Sequence, residues 1–164
     1  MSHQRLDDGH STKIMFSKKY TDVTRTTTEA ITYVDGDPSP LLFYEREVTP
    51  PGFNGGGPND VTNMWNKIVR TFSPKKLITV TGASALVAYD PKCTTEDIIC
   101  LLNLNQEITF KFADGSTYVV WGWLNIFNPG PAREGSPPEA TIEIEPSNHN
   151  DSLEEVLPVY AEAA

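Results

Sequence analysis

The chain has 164 residues, of which 38% are hydrophobic and 24 are Gly or Pro, a length and make-up that fit one globular domain and exclude a disordered or collagen-like polypeptide. Its formal charge of -9 is lopsided: residues 1–76 carry ten basic and nine acidic side chains, residues 77–164 three basic and thirteen acidic. That excess has the wrong sign for gripping nucleic-acid phosphates or anionic lipid, and no apolar run approaches the roughly 18 residues of a membrane-spanning helix.

The opening Met1–His10 lacks the apolar core of a signal peptide, so the expectation is a chain that is cytoplasmic when made, with no secretion signal. Residues 1–22 read as an extended polar arm with scattered apolar side chains. Thr24 to Val34 is β-prone, Asp35-Gly36-Asp37-Pro38 is a turn, and Leu41 to Val48 resumes as a strand. Residues 49–60 follow, Thr-Pro-Pro-Gly-Phe-Asn-Gly-Gly-Gly-Pro-Asn-Asp, whose Pro and Gly suit a long loop better than a strand interior. Phe53 sits at its centre. It either folds back onto its own sheet or, with Asn54, anchors the loop on another subunit.

Val61 to Phe72 fits either a helix, by the spacing of Met64, Trp65, Ile68, Val69 and Phe72, or a strand, which the preceding loop favours. Lys76 to Thr81 alternates as a strand, and Ala85 to Tyr89 is a short one. Residues 94–104 are the one expected helix, with a Thr94 or Thr95 cap, Glu96 and Asp97 in the first turn, and Ile98, Ile99, Leu101 and Leu102 as the apolar face. Cys93 and Cys100 would stand roughly 10 Å apart on a helix, too far for a disulfide, and no metal-binding spacing accompanies them. Two free thiols are expected.

Asp114-Gly115 between alternating runs signals a hairpin, with Ile108, Phe110 and Phe112 on one face and Glu107, Thr109 and Lys111 on the other. In Glu139–Glu145, Ala140, Ile142 and Ile144 face inward, while Glu143 and Glu145 share the outer face about 7 Å apart. Residues 147–164 form a second, acidic arm with Val156, Leu157, Val159 and Tyr160. The fold expected is mainly β: an antiparallel β-sandwich or partly closed barrel over residues 23–146, with one flanking short helix, a long loop and two arms.

No catalytic constellation emerges. His3, His10 and His149 all lie in the arms, which are poor supports for a triad. Glu143 and Glu145 stand on one strand rather than on opposed elements, as a glycosidase pair would. Asp35, Asp37 and Asp60 make no EF-hand, and Gly55-Gly56-Gly57 lacks the Lys-Ser/Thr of a phosphate loop. Trp121 and Trp123 share a strand face, as core residues or as a stacking platform for sugars. Neither enzyme chemistry nor a cofactor is expected.

In order and motif, residues 93–150 resemble the major tail tube proteins of long-tailed bacteriophages. The resemblance rests on the short helix, then Ile108-Thr109-Phe110-Lys111-Phe112-Ala113-Asp114-Gly115-Ser116, then the Gly122-Trp123 step in Trp121-Gly122-Trp123-Leu124, the Pro129-Gly130-Pro131 loop and the strand Ala140-Thr141-Ile142-Glu143-Ile144. The first half matches in layout alone. The resemblance implies a structural virion protein, assembled in the host cytoplasm, whose rings of six stack into a tube that conducts DNA. Its partners would be copies of itself and other tail proteins (terminator, tape measure, distal tail or baseplate), with viral DNA only as passing cargo and no membrane. Glu107, Glu143 and Glu145 are the candidate lumen-facing residues, though they could equally face outward. A tail terminator or distal adaptor ring shares the fold, and a carbohydrate-binding β-sandwich is a more remote reading.

Overall fold

A computed structural model describes residues 12–32, 43–89 and 95–163. The turn expected at Asp35–Pro38, Cys93, Thr94, His3 and His10 lie outside the described residues.

In chain order the elements are β1 (Lys13–Phe16), β2 (Lys18–Tyr20), β3 (Thr28–Ala30), β4 (Phe43–Thr49), β5 (Phe53–Asn54), β6 (Pro58–Asp60), β7 (Phe72–Pro74), β8 (Thr79–Val80), β9 (Ala83–Tyr89), α1 (Thr95–Leu101), β10 (Gln106–Lys111), β11 (Thr117–Pro129), β12 (Glu139–Pro146) and β13 (Val159–Ala161). The main sheet is antiparallel in the order β1-β10-β11-β12-β9-β4, with β13 paired to β11. It curls until its outer strands β1 and β4 touch, yet no backbone ladder joins them. The result is sandwich-like and mainly β, an incompletely closed barrel with one short helix among the described residues.

Alternation decides which side is inside. Ile14 and Phe16 of β1, Ala83, Ala85 and Val87 of β9, Ile108 and Phe110 of β10, Val120 and Leu124 of β11, and Ala140, Ile142 and Ile144 of β12 make one buried cluster, joined by Leu101 from α1. Two bulges reset the phase. At Arg46 the register slips, so Glu45 and Val48 stand opposite core residues Val87 and Ala85 while Glu47 turns outward. At Asn125 it slips again, so Phe127 packs on the core and Ile126 is exposed.

The β10–β11 hairpin closes as expected. Gly115 N–H donates to Phe112 O at 3.0 Å, Phe112 N–H to Ser116 O at 2.9 Å, and Gly115 takes a φ of 86°. That is a type I turn with a left-handed glycine bulge. The Asp114 carboxylate accepts from the Ser116 amide (2.9 Å) and hydroxyl (2.6 Å), which holds it below the usual carboxylate range.

Five expectations need correction. Residues 13–16 are not an arm: Ile14 and Phe16 are among the most deeply buried side chains, because Lys-Ile-Met-Phe alternates and pairs with β10. The helix ends at Leu101, three residues early, since Asn103 enters the left-handed region (φ 54°) and gives its N–H to Leu124 O at 2.9 Å. The Arg25 guanidinium donates to the Leu102 carbonyl at that same helix end. Strand character in 76–81 shrinks to Thr79–Val80. Residues 49–60 are not a plain loop, and 61–72 is neither helix nor strand along its length, as described next.

Candidate functional site

Two surfaces stand apart from the packed core. The first is the outer face of the main sheet. Glu107 lies opposite Trp121 in the β10–β11 ladder, and Trp123, two residues along, lies opposite Glu145 in the β11–β12 ladder. Paired positions share a face, so Glu107, Trp121, Trp123, Glu145 and Glu143 all point away from the core. The structure thus gathers the three carboxylates singled out in the sequence onto one surface. Glu107 is exposed; Glu143, Glu145 and both Trp residues are half-buried.

The same face holds Glu139, ion-paired with Arg46, and Glu47, placed there by the Arg46 bulge. Lys13 and Lys111, directly opposite one another, supply positive charge at the β1–β10 side. The carboxylates concentrate on β12 and its neighbours. The Glu145 carboxylate rests over Gly82, where a Cβ would lie 3.5 Å from its Oε1.

The second surface is a long two-stranded ribbon. Beyond Thr49↔Ser84 the β4–β9 pair continues outward through Phe53↔Val80 and Asn54↔Thr79 to Pro58↔Pro74 and Asp60↔Phe72. Gly56 and Gly57, with φ of 74° and 73°, absorb the offset between its two short ladders. The Asn54 carboxamide accepts from Gly56 N–H at 2.8 Å. Pairing of the two halves was not legible locally: Pro and Gly dominate one side, and the alternation of Lys76 to Thr81 on the other does not name its partner.

Asn66 folds the tip. Its Oδ1 accepts from Asn63 N–H at 3.0 Å, and its Nδ2 donates to Thr71 Oγ1 at 2.6 Å and to Val69 O at 3.3 Å. Asn63 Oδ1 accepts from Trp65 N–H at 2.9 Å, and Thr62, through its hydroxyl and amide, holds the Asp60 carboxyl below its ordinary value. With polar side chains satisfying the backbone, the apolar ones are left in water: Met64 is 90% exposed, Trp65 82% and Ile68 95%. Val69 is exposed as well, and so are Phe53, Leu77 and Ile78 nearer the root. Phe53 therefore does not fold back onto its sheet. A contiguous apolar end of this kind is rare on a protein surface that meets only solvent.

The C-terminal residues fold onto their own domain rather than projecting. Asn150 organises the 147–156 turn, accepting from Ser152 and Glu154 amides at 2.9 and 3.0 Å, and Asp151 pairs with Lys18 at 3.0 Å. β13 then adds to the edge of β11 at Thr117–Val119, just past the stretch that pairs with β12. Val156 is half-buried, while Leu157, Val159 and Tyr160 stay exposed.

Among the described residues no group of His, Cys, Asp and Glu is placed to hold a metal ion. No helix among the described residues is long and apolar enough to cross a membrane. Cys100, in the last turn of α1, is buried, and that burial pushes its thiol pKa up, away from reactivity. Of the sites weighed in the sequence, the ribbon end at 61–72 is the one that reasoning missed. Asn63 and Asn66, spaced as local backbone acceptors around exposed Met64 and Trp65, were the available signal.

Compared with known proteins, the chain matches no family model and no curated sequence.

Proposed function

We propose that this chain is a structural subunit that assembles with copies of itself into stacked rings, forming a hollow tube through which DNA passes, as in a phage tail. Three carboxylates from two strands, Glu107 on β10 and Glu143 and Glu145 on β12, meeting on one solvent face of the sheet carry this reading. A bore for duplex DNA, with one charge per roughly 1.7 Å, has to avoid holding it, and a carboxylate-rich wall has the repelling sign.

The exposed apolar ribbon supports self-association, since its Trp, Met and Ile side chains are of the kind that anchor interfaces. Stacking of identical rings is head-to-tail and needs unlike surfaces at the two ends, which a one-sided projection supplies. In this reading Phe53, Asn54, Val156, Leu157, Val159 and Tyr160 are further contact residues between copies. The other tail proteins would meet the ends of the tube.

Negative-stain imaging of purified protein at high concentration tests the proposal. Tubes or rings with a central hole are expected. Single rings that never stack would point to a terminator or adaptor, and lone molecules under every buffer tried would refute the reading.

A further inference from the structure

The ribbon and a cleft lie at opposite ends of the same strand. Ser84, near the start of β9, pairs with Thr49 at the root of the ribbon, whereas Ala88 pairs with Glu139 at the other end. There, the 130–138 loop, tied back by Gly130 N–H to Glu139 O at 2.8 Å, shapes an open cleft of about 300 Å³ lined by Leu86, Pro131, Arg133, Ser136, Pro137 and Glu139. About four residues separate the two points along β9, roughly 13 Å, and the ribbon runs on outward from Thr49 to Asp60 by at most about 37 Å.

Charge divides the same way. Residues 49–82 carry Lys67, Arg70, Lys75 and Lys76 against Asp60 alone, a net of +3, so the rest of the chain carries -12. Two ribbon tips brought together would oppose like charges and leave the cleft unused. A tip brought to the acidic body of another copy gains on both counts.

We infer that the ribbon tip of one copy seats in the 130–138 cleft of the next, with Trp65 against the Pro131 and Pro137 rings and Lys67 toward the carboxylate of Glu134. The contact is heterologous, tip on one copy and cleft on the other, so every copy offers both halves and the contact repeats from copy to copy. This inference rests on the self-assembly reading and adds the surface that receives the ribbon.

Complementation tests it on the whole chain. Trp65→Ser removes the tip anchor and leaves the cleft; Ser136→Trp fills the cleft and leaves the tip. Each variant alone is expected to need roughly tenfold or more protein to assemble, with an unchanged melting curve. Mixed, they retain one good junction, a Ser136→Trp tip in a Trp65→Ser cleft, and should give paired species that do not grow. A benzophenone amino acid at position 65, in mixed light and heavy-nitrogen protein, should crosslink across chains to residues 130–141.

Assembly by either variant as efficient as wild type, a mixture that forms no pairs, or crosslinks from tip to tip would overturn the seat while leaving self-assembly intact. Lone molecules throughout would overturn both. Trp65-dependent flotation of wild-type protein with phosphatidylglycerol vesicles, in place of self-assembly, would assign the tip to lipid and overturn the seat as well.

Discussion

The backbone N–H of Ile14 donates to the carboxylate of Glu45, 3.2 Å away, across the seam where β1 and β4 meet without a ladder. A side chain here does the work of a missing strand pair, satisfying an edge amide beside the core. Burial raises the Glu45 pKa above its ordinary 4.5, outweighing the Ile14 hydrogen bond and nearby Lys13, which pull it down. In the unfolded chain the group ionises first. As pH rises from 4.5 to the raised folded value, the native state therefore loses stability to this group, and above that value the loss is complete. Glu45→Gln keeps an acceptor and cannot titrate. Urea midpoints of the two proteins, measured across that window, should diverge in favour of the Gln variant as pH rises; a constant difference would show that Glu45 does not titrate with folding.

Gly122 stands where β11 passes closest to β12, and a Cβ there would lie 2.3 Å from Glu145 O and 3.0 Å from Pro146 Cα. Both obstacles are backbone, so a side chain forces the strands apart. Gly122→Ala is expected to cost on the order of 1–3 kcal/mol, as overpacking does elsewhere. The denaturation midpoint reports it. Since Trp121 and Trp123 flank this point on the outer face, their fluorescence should shift in the folded variant as well.

Gly115→Ala probes the hairpin turn. The left-handed φ of 86° costs an L-residue about 1–2 kcal/mol, and the new methyl would also meet Ala163 Cβ at 3.3 Å. Thermal unfolding should show a loss of that size, and Gly115→Asn a smaller one, because Asn tolerates the left-handed region better.

At the ribbon tip the expectation reverses. Trp65 and Ile68 make little contact within the chain, so the double substitution Trp65→Ser, Ile68→Ser should leave monomer stability within about 0.5 kcal/mol. Assembly, followed by sedimentation, should fail. Deleting residues 50–60 is a poorer test, because it also removes the strands that pair with β7 and β8.

Glu143→Lys with Glu145→Lys reverses charge on the proposed bore. Half-buried and outward-facing, both positions accept the longer side chain without entering the core. Tubes are expected to form, and DNA passage through them, measured as ejection from assembled particles, to slow. Ejection at the wild-type rate would remove these residues from the bore.

Local chemistry was legible in the residues themselves. An apolar stripe behind the acidic first turn of Glu96 and Asp97 gives the helix at 95–101, Asp114-Gly115 gives the hairpin, and period-two alternation gives β10, β12 and their inner faces, because each depends on neighbours a few positions apart. The shared face of Glu107, Glu143 and Glu145 needed pairing as well as alternation, since the two strands meet only through β11. Beyond that, tertiary structure decided. β1 became core by pairing with a strand nearly a hundred residues away, a bulge at Arg46 chose between Glu45 and Glu47 for the seam, and β13 was drawn onto β11. The ribbon formed from a Pro/Gly-rich stretch with no strand signal and a second stretch that alternates only over Lys76 to Thr81, each supplying hydrogen-bond partners the other lacked. Composition fixes which side chains are apolar. Whether they face a core or water is settled only when distant backbone finds its partner.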